Sequence, residues 1–435
     1  MANEQLDLFA ESRPPLRISK PIRLIELFGG IGSQAKALER LGADFERWRL
    51  CEWAVPSIRA YAAIHEGWRG GKGRWAGAPM EALLRRTDGV SRDYNRPMRE
   101  DERRRMGRSA LEELCGAMDA CRDFAPDVSR VHPEDLAMDD AHAYVLTYSF
   151  PCQDLSKAGR LAGMGRGTRS GLLWEVERLL LECGGKRPDV LLMENVPGVC
   201  GEREREHWRE WLGALEGMGY SNYWAKVNAK DHGIPQNRER VLMVSALGGF
   251  GYRFPPKRPL GRRLMGFLEP DPPAKYDLSP RILSTMLFGE SKGFDRRGDF
   301  EDSVRAGTRG VARTIKAKGS FDSGWTVLIH NATKRGFLEA AEGDGLDCSS
   351  RMASHRGTVQ SGMAQTIKTQ ADVGTAFGGR LRKLTPLECM RLMGFGDGDF
   401  RAMREIGMSD SAIYHCAGDS IVVDVLMDVF RGMIG

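Results

Sequence analysis

Ile22-Arg23-Leu24-Ile25-Glu26-Leu27-Phe28 runs straight into Gly29-Gly30-Ile31-Gly32, and this junction decides the fold class. The first seven residues read as a buried strand that ends at a glycine turn. From Ser33 to Leu41 apolar residues recur at helical spacing, and Gly42 stops the run. A second strand-like stretch follows from Arg47 to Glu52. Strand, glycine turn, helix, strand is the opening of an α/β fold with a parallel sheet. Glycines at such a turn let the backbone approach a ligand closely, and the helix start offers free N–H groups. Glu52 ends the second strand, where nucleotide-binding α/β folds use an acid to accept ribose hydroxyls. Trp53 beside it can stack on an adenine. A plain tight turn would use the same residues.

The pattern resumes downstream. Strands are expected at Tyr144 to Ser149, Val190 to Met193 and Val241 to Val244, with helices at Leu172 to Leu181 and His207 to Met218. After about residue 255 the alternation is lost. Residues 256–376 are rich in Gly, Arg, Ser and Thr, with short β-like pieces and an internal echo. Its copies are Ala312-Arg313-Thr314-Ile315-Lys316 and Ala364-Gln365-Thr366-Ile367-Lys368. From Leu384 to Phe430 a helical α/β pattern returns. The expected organisation is a polar tail (1–20), a first domain (21–255) carrying a helical insertion (67–130), a smaller domain (256–376), and a return to the first (377–435). The charged run Arg99 to Arg108 reads as a solvated helix face.

Composition narrows the classes. The 435 residues are 41% hydrophobic and 28% charged, which suits a soluble globular chain. No apolar run reaches the roughly 18 residues that a membrane span needs. The start, MANEQLDLFAESRPP, lacks a secretory pattern. Nine cysteines without a CxxC pair speak against a disulfide scaffold or zinc ribbon, so a reducing cytoplasm and no metal are expected. The net charge of +5 is compatible with a nucleic-acid partner.

Three further stretches follow the sheet pattern. In Ser149-Phe150-Pro151-Cys152-Gln153-Asp154 a cysteine lies just past a strand, at the sheet edge where ligands bind. A thiolate there is a strong nucleophile if its surroundings lower its pKa. A buried structural cysteine is the alternative, and the one applied to the other eight. Glu194-Asn195-Val196-Pro197-Gly198 puts a carboxyl group at a strand end, where it can hold a proton or cap a helix. In Gln236-Asn237-Arg238-Glu239-Arg240, alternate side chains of an extended segment would converge, and two guanidiniums can hold a carboxylate, a phosphate or a base carbonyl.

The joint order of these motifs, with Arg382-Lys383-Leu384-Thr385-Pro386-Leu387-Glu388 and Gly418-Asp419-Ser420-Ile421-Val422, resembles the cytosine-C5 methyltransferases over about 22–255 and 376–435. The resemblance implies a Rossmann-like mixed, mostly parallel sheet with helices on both faces, and a variable β-rich target-recognition domain. It implies S-adenosylmethionine as cofactor, leaving as S-adenosylhomocysteine. Phe28, Gly30, Ile31 and Gly32 would line its site, Glu52 would bind the ribose and Trp53 would pack on the adenine. Asp135, with Leu136, would meet the adenine amino group, and Ser420 and Val422 would close over the methionine end. Cys152 would add to carbon 6 of a cytosine flipped out of duplex DNA. Glu194 would serve ring nitrogen 3, Arg240 the carbonyl oxygen, and Arg238 the thiolate loop and base. The Gly- and Arg-rich loop after Cys152 would close over the DNA, and base contacts are expected near the two Thr-Ile-Lys echoes. Two features depart from the family: Asp419 stands where Asn is more usual, and the 67–130 insertion is large.

Gln5-Leu6-Asp7-Leu8-Phe9 resembles the peptide by which bacterial replication proteins bind the sliding clamp. Double-stranded DNA, this clamp and a partner restriction endonuclease are the partners considered, with a cytoplasmic, nucleoid-associated location in a bacterial or phage setting. The competing readings are an RNA-methylating relative, a catalytically silent DNA-binding regulator and, from the glycine turn alone, a dehydrogenase.

Overall fold

The computed structural model describes residues 13–122, 125–151, 170–288, 326–332, 334, 336–349 and 358–434. Its centre is a six-stranded sheet in the order β2-β1-β3-β4-β7-β5. The strands are β1 (Ile22–Leu27), β2 (Phe45–Cys51), β3 (Ala143–Tyr148), β4 (Val190–Asn195), β5 (Tyr220–Asn228) and β7 (Glu239–Leu247); β6 is the short Gln236–Asn237. β2, β1, β3 and β4 pair in parallel, while β7 runs antiparallel to both neighbours, β4 and β5. A mixed, mostly parallel sheet is therefore present, as expected. The edge strand β5 is one that the sequence reading does not mark, because its alternation holds polar Ser221 and Asn222 beside Tyr223 and Trp224.

Period-two alternation sends successive side chains to opposite faces, and both faces are covered. Leu24, Val145, Leu192 and Val244 join one core with α1 (Ser33–Leu41), α2 (Val55–His65) and the last helix, Val423–Arg431. Ile25, Leu146, Leu191 and Met243 join the other with helices Leu173–Glu182 and Arg205–Gly217. The C-terminal return thus closes the first face. Ile421 N–H donates to Ser33 Oγ (3.2 Å), and Arg40 pairs with Asp424 at 3.0 Å.

Three boundaries change. Residues 14–18, read as part of the tail, are docked: Leu16 N–H donates to the Gly251 carbonyl (2.7 Å) and Ile18 N–H to that of Met433 (2.8 Å). Leu264, Phe267 and Leu268 lie inside the 256–376 segment yet pack in the first core. Strand Arg380–Lys383, beyond the expected end of that segment, completes the four-stranded second sheet with Asp344–Asp347, Val359–Gln360 and Val373–Phe377. Helix Pro280–Phe288 and hairpin Thr326–His330/Phe337–Ala341 share its small core through Met286, Ile329 and Ala340.

Besides the packing of Leu264, Phe267 and Leu268, a strand pair fastens this strand-rich region to the first sheet's domain. Ala364–Gln365 pairs in parallel with β6, and Gln236 Oε1 accepts from Ile367 N–H (3.1 Å). In the insertion, the charged run is self-neutralised: Arg104 pairs with Glu100 (2.7 Å), Arg105 with Asp101 (2.6 Å) and Arg103 with Asp88 (2.5 Å). It is a solvated helix face, as the sequence suggests.

Candidate active site

The C-terminal ends of β1, β2, β3 and β4 open onto a cleft of about 560 Å³. That is the size and position at which open α/β sheets bind small molecules. Phe28 and Gly30 form its floor, at φ 56° and 58°. A Cβ on Gly30 would meet nothing within 4 Å, so the turn leaves room for a ligand against the backbone. Gly32 does a different job. It has φ 76° and a Cβ there would come 2.4 Å from His65 Nε2, so only glycine fits beneath α1. Ile31 is buried in the core, its carbonyl 2.9 Å from His65 Nε2. Of the glycine-turn residues expected to line a cofactor, Phe28 and Gly30 therefore face the cleft, whereas Ile31 and Gly32 support them from behind.

Glu52 sits at the head of β2 with both oxygens committed: Oε2 accepts from Gly30 N–H and Oε1 from Ala54 N–H, each at 2.7 Å. Burial raises its pKa to about 7, against the lowering effect of those amides. Trp53 lines the wall beside it.

Asp135 is elsewhere. Its carboxylate caps its own short helix, accepting from His132 N–H at 2.9 Å, and the residue borders a separate surface groove with Arg49 and Arg122. Leu136 is fully buried in the core, and its carbonyl accepts from Trp48 Nε1 (2.7 Å). Neither lines the cleft. Asp127 does, at the start of a turn where its Oδ1 accepts from Ser129 N–H (3.0 Å). The signal was the Asx turn in Pro126-Asp127-Val128-Ser129, hidden because the sequence reading takes residues 67–130 as an insertion.

The C-terminal motif is displaced similarly. Gly418 and Asp419 line the cleft. Ser420 and Val422 are buried behind them, with Ser420 Oγ donating to the Cys416 carbonyl (2.6 Å) and Val422 packed in the core as the cap of the last helix.

At the other end of the cleft, Glu194 is the last residue but one of β4 and Arg240 the second of β7. Glu194 Oε1 lies 3.0 Å from Arg240 Nε, with the two side chains 10% and 18% exposed. Arg238, two residues away, does not converge with Arg240. Its guanidinium donates to the carbonyls of Ile367 (2.7 Å), Gly418 (2.9 Å) and Ser420 (2.7 Å). It borders the cleft but acts as a buried pin joining β6–β7, the strand-rich region and the C-terminal return. Gln236 is also buried, donating to the Leu392 carbonyl at 3.1 Å. Arg238 and Arg240 thus both border the cleft, but the Arg238 guanidinium is taken up by the Ile367, Gly418 and Ser420 carbonyls, whereas Arg240 meets Glu194.

Asn195, which the sequence quotes without a role, donates from Nδ2 to the Phe150 carbonyl (3.0 Å). It thereby ties the end of β4 to the segment leading into Pro151, which lines the cleft. Cys152 and the Gly- and Arg-rich loop after it lie outside the described residues, as do Gln5 to Phe9 and the first Thr-Ile-Lys echo. The second echo is a docking strip: Thr366 Oγ1 donates to the Asn237 carbonyl (2.6 Å) and Lys368 pairs with Asp372 (2.7 Å). No group of three or more His, Cys, Asp or Glu suited to a metal ion occurs among the described residues. No helix among them is long and apolar enough to cross a membrane.

Known proteins resemble this chain in sequence and fold. A family model described as C-5 cytosine-specific DNA methylase matches residues 124–435. The type II methyltransferase M2.ScrFI of Lactococcus lactis subsp. cremoris is 30% identical over 94% of this chain and 98% of its own length. The orphan methyltransferase M.SssI of Spiroplasma monobiae is 36% identical over 53% of this chain and 61% of its own. The structure of the Entamoeba histolytica methyltransferase EhMeth superposes with a TM-score of 0.53 at 14% identity, covering 95% of this chain and 98% of that one, which supports the fold. The chain belongs to the C-5 cytosine-specific DNA methylase family. It is accordingly an enzyme that methylates carbon 5 of cytosine in DNA, with S-adenosylmethionine as methyl donor. The cleft fits a donor of this kind: Gly30 leaves a backbone cradle, and Glu52 is a buried acceptor beside an aromatic wall.

Proposed function

We propose that the enzyme attacks a flipped-out cytosine of duplex DNA through Cys152 and that the Glu194–Arg240 pair stabilises the charge this creates. The pair is the observation that carries the reading. An acid and a guanidinium 3.0 Å apart, largely withdrawn from water, line one end of the cleft, with Glu52 and Trp53 along another wall. Carbon 5 of cytosine is a poor nucleophile within an aromatic ring. Addition of the Cys152 thiolate to carbon 6 breaks the aromaticity and makes carbon 5 enamine-like. Negative charge then develops on ring nitrogen 3 and the carbonyl oxygen. Glu194 hydrogen-bonds or protonates nitrogen 3, and Arg240 faces the oxygen, so both act where charge grows. Bound S-adenosylmethionine supplies the sulfonium methyl group. Loss of the carbon 5 proton and departure of the Cys152 sulfur then release 5-methylcytosine.

On this reading Phe28, Gly30, Glu52, Trp53 and Asp127 hold the donor's nucleoside, with Gly418 and Asp419 opposite. Asn195 and Arg238 are positioning residues. A base within a stacked duplex is closed to attack from above its ring, so the target is extruded at a cost of a few kcal/mol. The strand-rich region, with the segment between residues 289 and 325, is the target-recognition domain. The Gln5–Phe9 peptide binds a sliding clamp, and replacing Leu8 and Phe9 with alanine should abolish clamp pull-down.

The deciding experiment incubates the protein with tritiated S-adenosylmethionine and unmethylated duplex DNA, beside Cys152→Ala and a transfer RNA control. Label in DNA with wild type only, mapped as 5-methylcytosine, is the expected result. Equal label with Cys152→Ala would remove the covalent step, and label in RNA alone would remove the duplex.

A further inference from the structure

We infer that the inserted segment builds one wall of the methyl-donor cleft, with Tyr94 as the positioning residue that locks this wall to the C-terminal return. This rests on the reading that the cleft beside Glu52 holds the donor. The sequence marks the insertion as helical and large; the structure gives one of its turns a place at the cleft. The consecutive residues Tyr94 to Pro97 line the cleft. Their turn hangs from the donor side: Ser91 N–H donates to the Trp53 carbonyl (2.7 Å), and Val55 N–H donates to that of Ser91 (2.8 Å). Any shift of the turn therefore pulls on the residue next to Glu52.

The turn is built to hold its shape. Asp93 Oδ1 accepts the N–H groups of Asn95 (3.0 Å) and Arg96 (3.4 Å), and the Arg96 guanidinium bonds both oxygens of Glu102 at 2.7 and 2.5 Å. Within it Tyr94 adopts φ 62°, a left-handed conformation unfavourable for an aromatic residue. What compensates is its ring. The ring stacks on His415 with centroids 3.5 Å apart and planes 11° from parallel, and its hydroxyl lies 4.0 Å from Cys416 Sγ. His415 Nδ1 is in turn 3.0 Å from Asp419 Oδ2, and Asp419 and Gly418 line the cleft. One aromatic contact thus joins the segment after Glu52, the insertion and the C-terminal motif. A turn that merely covered the sheet edge would need neither the strained backbone nor a ring directed at the helix that ends in Gly418 and Asp419.

The test measures S-adenosylhomocysteine binding to the full chain by titration calorimetry, with donor and DNA kinetics alongside. Tyr94→Asn removes the ring but keeps a residue that tolerates the left-handed turn. Its Kd for S-adenosylhomocysteine should rise by about tenfold, the upper range for losing an aromatic pair. The donor KM should rise by a similar factor, while kcat and the Kd for DNA should change by less than about twofold. Tyr94→Phe should restore binding to within about twofold of wild type, because the stack carries the effect. His415→Ala, which leaves the turn untouched, should raise the Kd in the same direction. Unchanged binding in both Tyr94→Asn and His415→Ala, each with a wild-type unfolding temperature, would overturn the inference. Wild type that failed to bind S-adenosylhomocysteine would instead overturn the donor reading on which it rests.

Discussion

Two carboxylates serve one cleft in opposite ways. Glu52 is held by two backbone amides, and burial lifts its pKa to about 7. Glu194 is held by a guanidinium, Arg240, at 3.0 Å. The amides fix Glu52 in place and favour its charged form, so it is burial above all that lifts its pKa; the guanidinium fixes Glu194 in place beside a second charged group. The first arrangement suits a ligand that offers hydroxyl donors and is bound and released each turnover. The second suits a place where charge appears during the reaction.

The comparison can be broken at its strongest point first. Glu194→Gln and Arg240→Leu should each slow single-turnover methyl transfer by about 10²–10⁴-fold, the usual range for general acid–base or electrostatic groups. Binding of S-adenosylhomocysteine should be nearly unaffected. Equal losses in both would mean the two ends are not separable. Next comes the frame between them. Arg238→Met leaves the carbonyls of Ile367, Gly418 and Ser420 without this donor, and urea unfolding should reveal a loss of about 1–3 kcal/mol for each that stays unsatisfied.

Glu52→Gln sharpens the contrast on the binding side. It should weaken S-adenosylhomocysteine by about 10- to 100-fold, through a lost charged acceptor worth roughly 1.5–3 kcal/mol. The pH dependence has a definite sign. Glu52 in the folded state titrates near 7, above its ordinary 4.5. Its contribution to stability is therefore full below about 4.5 and is lost as pH rises through about 7. Ribose hydroxyls favour the carboxylate, so donor affinity should rise as pH increases across 7, and Glu52→Gln should flatten that rise. Glu26, also buried and raised to about 7, adds to the stability change but lies beneath the sheet end against Tyr61, outside the cleft. The smallest effect discriminates two aspartates. Asp127→Ala should weaken donor binding several-fold, whereas Asp135→Ala should cost only a cap, about 1 kcal/mol, in thermal unfolding.

Much of this was legible in the sequence, for reasons that also explain the failures. The strands β1, β3 and β4 are buried on both faces and mainly apolar, so their runs stand out; β5, at the edge and half polar, does not. Glu52, Glu194 and Arg240 sit at strand termini, where chain position dictates where a side chain can go. Asp135, Ser420 and Val422 were read from spacing within a motif. There a difference of a residue or two, or an intervening insertion, decides between cleft wall and buried support. Arg238 misled because alternation along β6–β7 is interrupted, and its partners come from segments 129 to 182 residues away, beyond the reach of any local pattern. Tyr94 left no periodic trace. Only the tertiary contact with His415 reveals it.

The junction at Gln236–Arg238 meets the strand-rich region largely through that region's main-chain atoms: the ladder to Ala364–Gln365, the Ile367 N–H and the Ile367 carbonyl, with the Thr366 hydroxyl added. A clasp that reads peptide groups places little demand on the identity of the side chains it holds. Demands on side-chain identity in this segment fall elsewhere, on Leu264, Phe267 and Leu268, which pack in the first core, while Ala364–Gln365 is held at the seam by its backbone ladder.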